Sequence, residues 1–202
     1  MSTRPPVRRF HGRIAGAGSS SGVRLVIGRW HRSPLGSFSD VMLQQPDGRR
    51  ILLAPTQSVA AFVSETYTFD EVRIAPVTVT GTGIWRVDAG ALRVSLTIGP
   101  VSGLGRLLAL VPTVLAARPW WNTAIDPLAR RILPGVSTRG TAGGGRREYY
   151  GATGQRTIAA LTGRWERTDL GILTDVTPSV GFGFSSTPAT PSVTTLVTTI
   201  VG

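Results

Sequence analysis

The chain has 202 residues, 41% of them hydrophobic and only 16% charged, with 25 glycines and 14 prolines, which is the composition of one globular domain and not of a disordered chain. The absence of cysteine excludes disulfides, thiolate metal sites and cysteine catalysis, and agrees with a reducing cytosol. The net charge is +11, and all 22 basic side chains are arginine; with no lysine, the chain carries no side-chain amine.

Residues 1–22 read as a flexible basic arm, with Arg4, Arg8, Arg9 and Arg13 ahead of a Gly/Ser-rich stretch from Ala15 to Gly22. That stretch stands where a signal peptide would need an apolar segment. Residues 23–202 then read as a single β-rich domain. Val23 to Trp30 is a strand, His31 to Ser37 a loop, and Phe38 to Gln45 the next strand. Pro46-Asp47-Gly48-Arg49 is a turn, because proline presets φ and glycine takes positive φ freely. Arg50 to Ala54 returns as the hairpin partner. Thr56 caps a helix predicted over Gln57 to Thr66, where Val59, Ala60, Phe62 and Val63 recur at helical spacing.

Val72 to Thr80 reads as one strand. Ile84 to Asp88 and Ala91 to Ile98 form a hairpin across Ala89-Gly90, the second strand alternating Leu92, Val94, Leu96 and Ile98 with polar residues. A helical insertion occupies about 104–133. It is interrupted at Pro112, and its second helix, Trp120 to Leu133, is broken at Pro127. Val136 to Ala142, Arg147 to Ala152, Thr157 to Arg167 and Val193 to Ile200 are β segments. The succession of hairpins predicts a mostly β (α+β) fold, an antiparallel β-barrel or curled sheet with a few decorating helices.

The arginines are scattered as singles and pairs, and no basic helix interleaves stacking aromatics, so composition argues against nucleic acid as the partner. Codon usage in a GC-rich genome explains the arginines as well. Arginine forks also suit a small anionic ligand. No stretch of about 18 apolar residues predicts a membrane helix.

Gly143-Gly144-Gly145 lacks the lysine and the following helix of a phosphate loop, and a wide hairpin turn is the simpler reading. His11 and His31, the two histidines, have no further ligands at metal-site spacing, and no cofactor or metal is predicted. Tandem Trp120-Trp121 reads first as an anchor of its helix to the core. Asp40 is ambiguous. It shares one strand face with Phe38 and Met42, so either that face lines a cavity or Val41 and Leu43 face the core and Asp40 faces water.

Pro34-x-Gly36-x-Phe38-x-Asp40 resembles the Gly-x-Tyr-x-Glu strand of the acetoacetate decarboxylase family. The order of hairpin, short helix and second hairpin from Val23 to about Ile98 resembles that family too, as does the stretch from Ile132 to Tyr150, so the likeness covers about three quarters of the chain. The chain also resembles actinobacterial proteins of unsettled function. The family resemblance implies an acetoacetate-decarboxylase-like fold with Asp40 at the position of the family's pocket glutamate. Phe38, Met42, Tyr67, Phe69 and Asp70 would neighbour that pocket, with Glu71 beside them and Arg29 and Arg73 to compensate the acids or bind an anion. The family's chemistry is an imine formed on a lysine, and the resemblance puts Asp70 and Glu71 at its two lysine positions. Neither an acid nor arginine can form that imine.

The expectation is therefore a small-molecule pocket protein that is not a Schiff-base decarboxylase. The alternatives are an enzyme pairing Asp40 with Asp70 or Glu71, or a basic interaction protein binding nucleic acid or another acidic partner. A homo-oligomer stays open. A cavity holding Asp40 and a second acid supports the first two readings, whereas a filled barrel interior argues against both.

Overall fold

The computed structural model describes residues 5–132, 136–141 and 145–202. It is mostly β, a curled half-barrel sheet with four helices among the described residues. In chain order the strands are β1 (Val7–Ser19), β2 (Arg24–Arg32), β3 (Phe38–Gln44), β4 (Arg50–Ala54), β5 (Glu71–Ile74), β6 (Val77–Thr80), β7 (Ile84–Ala89), β8 (Leu92–Val101), β9 (Arg139–Thr141), β10 (Arg147–Trp165), β11 (Thr168–Asp169), β12 (Leu173–Thr174) and β13 (Ser192–Val201). The helices are α1 (Gln57–Ser64), α2 (Gly103–Leu108), α3 (Thr113–Ala116) and α4 (Pro119–Ile132).

The main path of the sheet runs β5-β4-β3-β2-β1-β13-β10-β8-β7-β6. Its pairs are antiparallel except β4 with β5, which α1 connects as a crossover. Thr56 caps α1, its side chain accepting from the Val59 N–H. The two ends of the path, β5 and β6, are consecutive in the chain and separated only by Ala75 and Pro76. Residues 72–80 are therefore two strands where the sequence suggests one. Proline has no N–H for a ladder and restricts the residue before it, so the chain leaves one edge at this point and starts the other.

This closure gives the sheet a filled interior. Leu25 and Ile27 of β2, Val41 and Leu43 of β3, Val77 and Val79 of β6, and Leu92, Val94 and Leu96 of β8 belong to one buried cluster with Trp85 and Trp165. This face carries the buried apolar cluster, and Asp40 is not part of it. The opposite face of β1, β2, β3, β10 and β13 is also covered, by α1, by α2–α4 and by the segment between β12 and β13, from which Val176, Val180 and Phe182 pack onto Val26. Ser102 ties α2 to β10: its hydroxyl accepts from the Gly105 N–H and donates to Gln155 Oε1 at 2.8 Å. α4 runs through Pro127 without ending, unlike the break expected there. The triple glycine's first two residues lie outside the described residues, as do Leu133 and Pro134.

The largest correction concerns the N-terminus. Residues 7–19 are not an arm but β1, paired with β13 over Val7–Gly16 and with β2 over His11–Gly18. Deleting residues 1–13 would remove seven of the ten pairs with β13 and three of the eight with β2. The expected outcome is loss of the cooperative thermal transition followed by circular dichroism, whereas an arm would leave the midpoint unchanged.

Candidate functional site

Alternation along β3 sends Val41 and Leu43 into the filled interior and Phe38, Asp40 and Met42 to the second face. Because that face is covered, Asp40 is 4% exposed. Strand pairing sets Asp40 opposite Gly28 of β2, with Trp30 two residues further on. The Trp30 indole donates from Nε1 to Asp40 Oδ1 at 2.9 Å. The indole lies across two glycines. A Cβ on Gly12 would come within 2.8 Å of the ring, and one on Gly28 within 2.3 Å of Asp40 Oδ1. Any side chain at Gly28 would displace the carboxyl from its donor.

The same face of β10 carries Glu148, 1% exposed, and Tyr150. Tyr67, just beyond α1, donates to Glu148 Oε1 at 2.9 Å. Its single proton is then used, so the Tyr150 hydroxyl is the donor in their 2.6 Å contact. Among the described residues, Glu148 Oε2 and the Thr198 hydroxyl, both buried, have no hydrogen-bond partner. Among the described residues neither Asp40 nor Glu148 is in an ion pair.

Two cavities meet at these groups. A small one of about 40 Å³ is lined by Asp40, Glu148 and Thr198 and walled by Phe10, Trp30, Phe38, Phe62 and Tyr67. A larger one of about 350 Å³ lies between the second face and the helical cover, lined by residues such as Leu108, Trp121, Ile125, Ala152, Phe182 and Leu196. Ile14, Val26, Met42 and Tyr67 line both. The Tyr150–Tyr67–Glu148 chain therefore runs from one compartment into the other. A groove of about 590 Å³ on β6–β8 is different in kind: it is lined by polar and charged residues of both signs, among them Arg86, Asp88, Arg93 and Arg164.

Burial sets the electrostatics. It pushes the Asp40 carboxyl up to about 6, against the weaker pull of the Trp30 donor. It pushes Glu148 up to about 7, opposed by the two tyrosine hydroxyls and then by the charge of Arg146. Tyr67 and Tyr150 are driven well above the ordinary phenol range, first by burial and then by Glu148, and stay protonated.

Of the residues the sequence nominates, Phe38, Asp40, Met42 and Tyr67 come together. Phe69 sits behind them, its ring 5.7 Å from Phe182, and lines neither cavity. Asp70 is on the surface in a paired contact with Arg50 at 2.8 and 3.0 Å, which holds its carboxyl down at about 2. Glu71 is bound by Arg73 and, at 2.7 Å, by Arg49. Arg73 also pairs with Glu166 at 2.7 Å and lies over the Trp165 ring. Arg29 donates to the Gly81 carbonyl and lies over Trp85, on the interior side of β2. None of these four charged groups reaches Asp40, so the expected pairing of Asp40 with Asp70 or Glu71 is replaced by Asp40 with Glu148. Trp121 lines the large cavity, while Trp120 is 62% exposed and anchors nothing. His11 accepts from Arg32 at 3.1 Å beside His31.

Glu148, Tyr150, Trp30, Phe10 and Thr198 are the site residues that the sequence reading missed. The available signal was Glu148-x-Tyr150 at strand spacing, which puts an acid and a phenol on one face. Comparisons with protein-family models, curated proteins and solved structures find no match for this chain.

The two raised acids make a stability prediction. Between about pH 4 and pH 7 the folded chain holds protons at Asp40 and Glu148 that the unfolded chain has released, so stability falls as pH rises through that window and levels off above it. Each acid costs about 3 kcal/mol above pH 7, at about 1.4 kcal/mol per tenfold change in proton affinity. Asp70 acts in the opposite sense, and only below about pH 4. The denaturant midpoint of the native chain is expected to fall from pH 5 to pH 8, and Asp40→Asn with Glu148→Gln to flatten that slope. A flat native profile would show that neither carboxyl is raised.

Proposed function

We propose that this protein binds a small, mostly apolar molecule with one polar end, in the cavity between the second face of the sheet and α2–α4. The observation that supports this reading most is the cavity itself. At about 350 Å³ it is within the range of small-molecule sites, its walls are apolar, and a hydroxyl–carboxyl chain stands at one end. Leu107 and Leu128, 65% and 60% exposed, also belong to its lining and give a ligand a way in through the helical cover.

The resemblance to the acetoacetate decarboxylase family belongs to the same proposal, as a scaffold that keeps a pocket without the imine chemistry. The support is the order of the elements and the lysine-free composition. A second reading is a lysine-independent enzyme in which Asp40 and Glu148 serve as acid and base. Their unequal environments favour it.

N-phenyl-1-naphthylamine, uncharged at neutral pH, is expected to bind with micromolar affinity and gain fluorescence. Ala129→Trp, which fills the cavity from α4 and leaves the sheet untouched, should weaken that binding at least about tenfold, or about 1.4 kcal/mol. Equal affinity in the variant would put the probe outside this cavity and sink the reading.

A further inference from the structure

The small compartment has a composition that the apolar cavity beside it does not explain. Two carboxyl groups are buried in it in a chain with 22 arginines, and among the described residues neither is in an ion pair; Arg146 acts on Glu148 only as a nearby charge. Burying an acid without a cation or full hydrogen bonding is expensive, and a chain so rich in guanidinium could have paired both. It pairs Glu65, Asp70 and Glu71 on the surface instead. Among the described residues the hydrogen bonds to the inner acids come from neutral side chains, Trp30 and Tyr67, and Glu148 Oε2 and the Thr198 hydroxyl have no partner.

Around the acids stand rings. Phe10 contacts Trp30 edge-on at 5.9 Å, Phe38 edge-on at 6.4 Å and Phe62 in a stack at 5.0 Å, while Tyr67 closes the side toward the large cavity. Phe62 already attracts cations from outside, with Arg8 and Arg146 each 5.6 Å from its centre. The space, about 40 Å³, is room for roughly three waters, and so for one ammonium head with small substituents. Carboxylates and aromatic faces around one small volume are what desolvated ammonium groups bind to. An anion would meet two acids and no free donor pair.

We propose that this compartment is an ammonium subsite, in which Asp40, Glu148 and the surrounding rings hold the cationic nitrogen of an amphiphilic amine whose apolar body occupies the larger cavity. Tyr67 and Tyr150 sit at the join, where the polar head meets the apolar body. The full ligand rests on the cavity reading above, but the head-group site can be tested separately.

Octylamine, octan-1-ol, octanoate and tetramethylammonium would be titrated calorimetrically into the full chain at neutral pH. Octylamine is expected to bind about tenfold tighter than octan-1-ol, octanoate more weakly than both, and tetramethylammonium measurably by itself. In Asp40→Asn/Glu148→Gln, which keeps side-chain size and is checked for folding by its melting transition, the amine-to-alcohol ratio should fall to about one. Equal binding of amine and alcohol by the native chain, or preference for octanoate, overturns the subsite and leaves the cavity reading standing. Binding of tetramethylammonium without octan-1-ol supports the subsite and overturns the cavity reading. Absence of binding by all four overturns both.

Discussion

Two residues, Ala75 and Pro76, separate the strands at the two ends of a ten-strand path, and the rest of the structure depends on that short span. Two residues can bridge only about 10 Å of extended chain between the flanking strands. The sheet must therefore curl until its ends are neighbours, and the side chains that meet inside must fill the space. They do: β3 and β6 share one buried cluster with β2, β7 and β8. A sheet closed this tightly has no room for a ligand within. The larger apolar cavity lies on the other face, where the long strands β1, β10 and β13 need a separate cover. The helices and the segment before β13 supply that cover, and their incomplete fit against the strands is the cavity.

That displacement changes the meaning of a filled barrel. A filled interior excludes a pocket only where a sheet has one buried and one exposed face. Here both faces are buried, so the interior can be solid while Asp40, on the second face, is equally inaccessible to bulk water. The burial is also what gives the acids their chemistry. On an exposed strand Asp40 would be an ordinary surface carboxylate; under Trp30 and the rings of Phe10 and Phe38 it holds its proton to about 6.

The hairpins, α1 and the helical region were legible because their signals are local: Pro46-Asp47-Gly48 forces a turn, and Val59, Ala60 and Val63 repeat at the helical period. β1 was not legible, for a reason the site itself supplies. On its second face it carries glycine at position 12, where the Trp30 ring takes the space of a side chain, and glycine there erases the period-two apolar pattern. The residue that makes room for the site is the one that makes the strand look like an arm. Phe38, Asp40 and Met42 were found because they share one strand face. Glu148 was not, because its approach to Tyr67 spans 81 positions and depends on how β10 crosses the sheet. Asp70 and Glu71 were placed by the resemblance, at the family's two lysine positions, and such a match says nothing about which way these side chains turn; arginines hold both at the surface.

The missing lysine now bears on more than one reaction. It removes imine chemistry on any side chain, wherever the pocket lies. It also removes the side chain best able to enter a small acidic compartment as a compact, flexible cation. Arginine is the strong base the chain has instead, and its guanidinium is a rigid planar fork that needs two acceptor directions, where a lysine ammonium is a compact point charge. An acidic pair that the chain's own cations cannot fill is thereby kept open to a cation from outside. The same compositional fact that takes away a covalent mechanism leaves Asp40 and Glu148 free to select a ligand by charge.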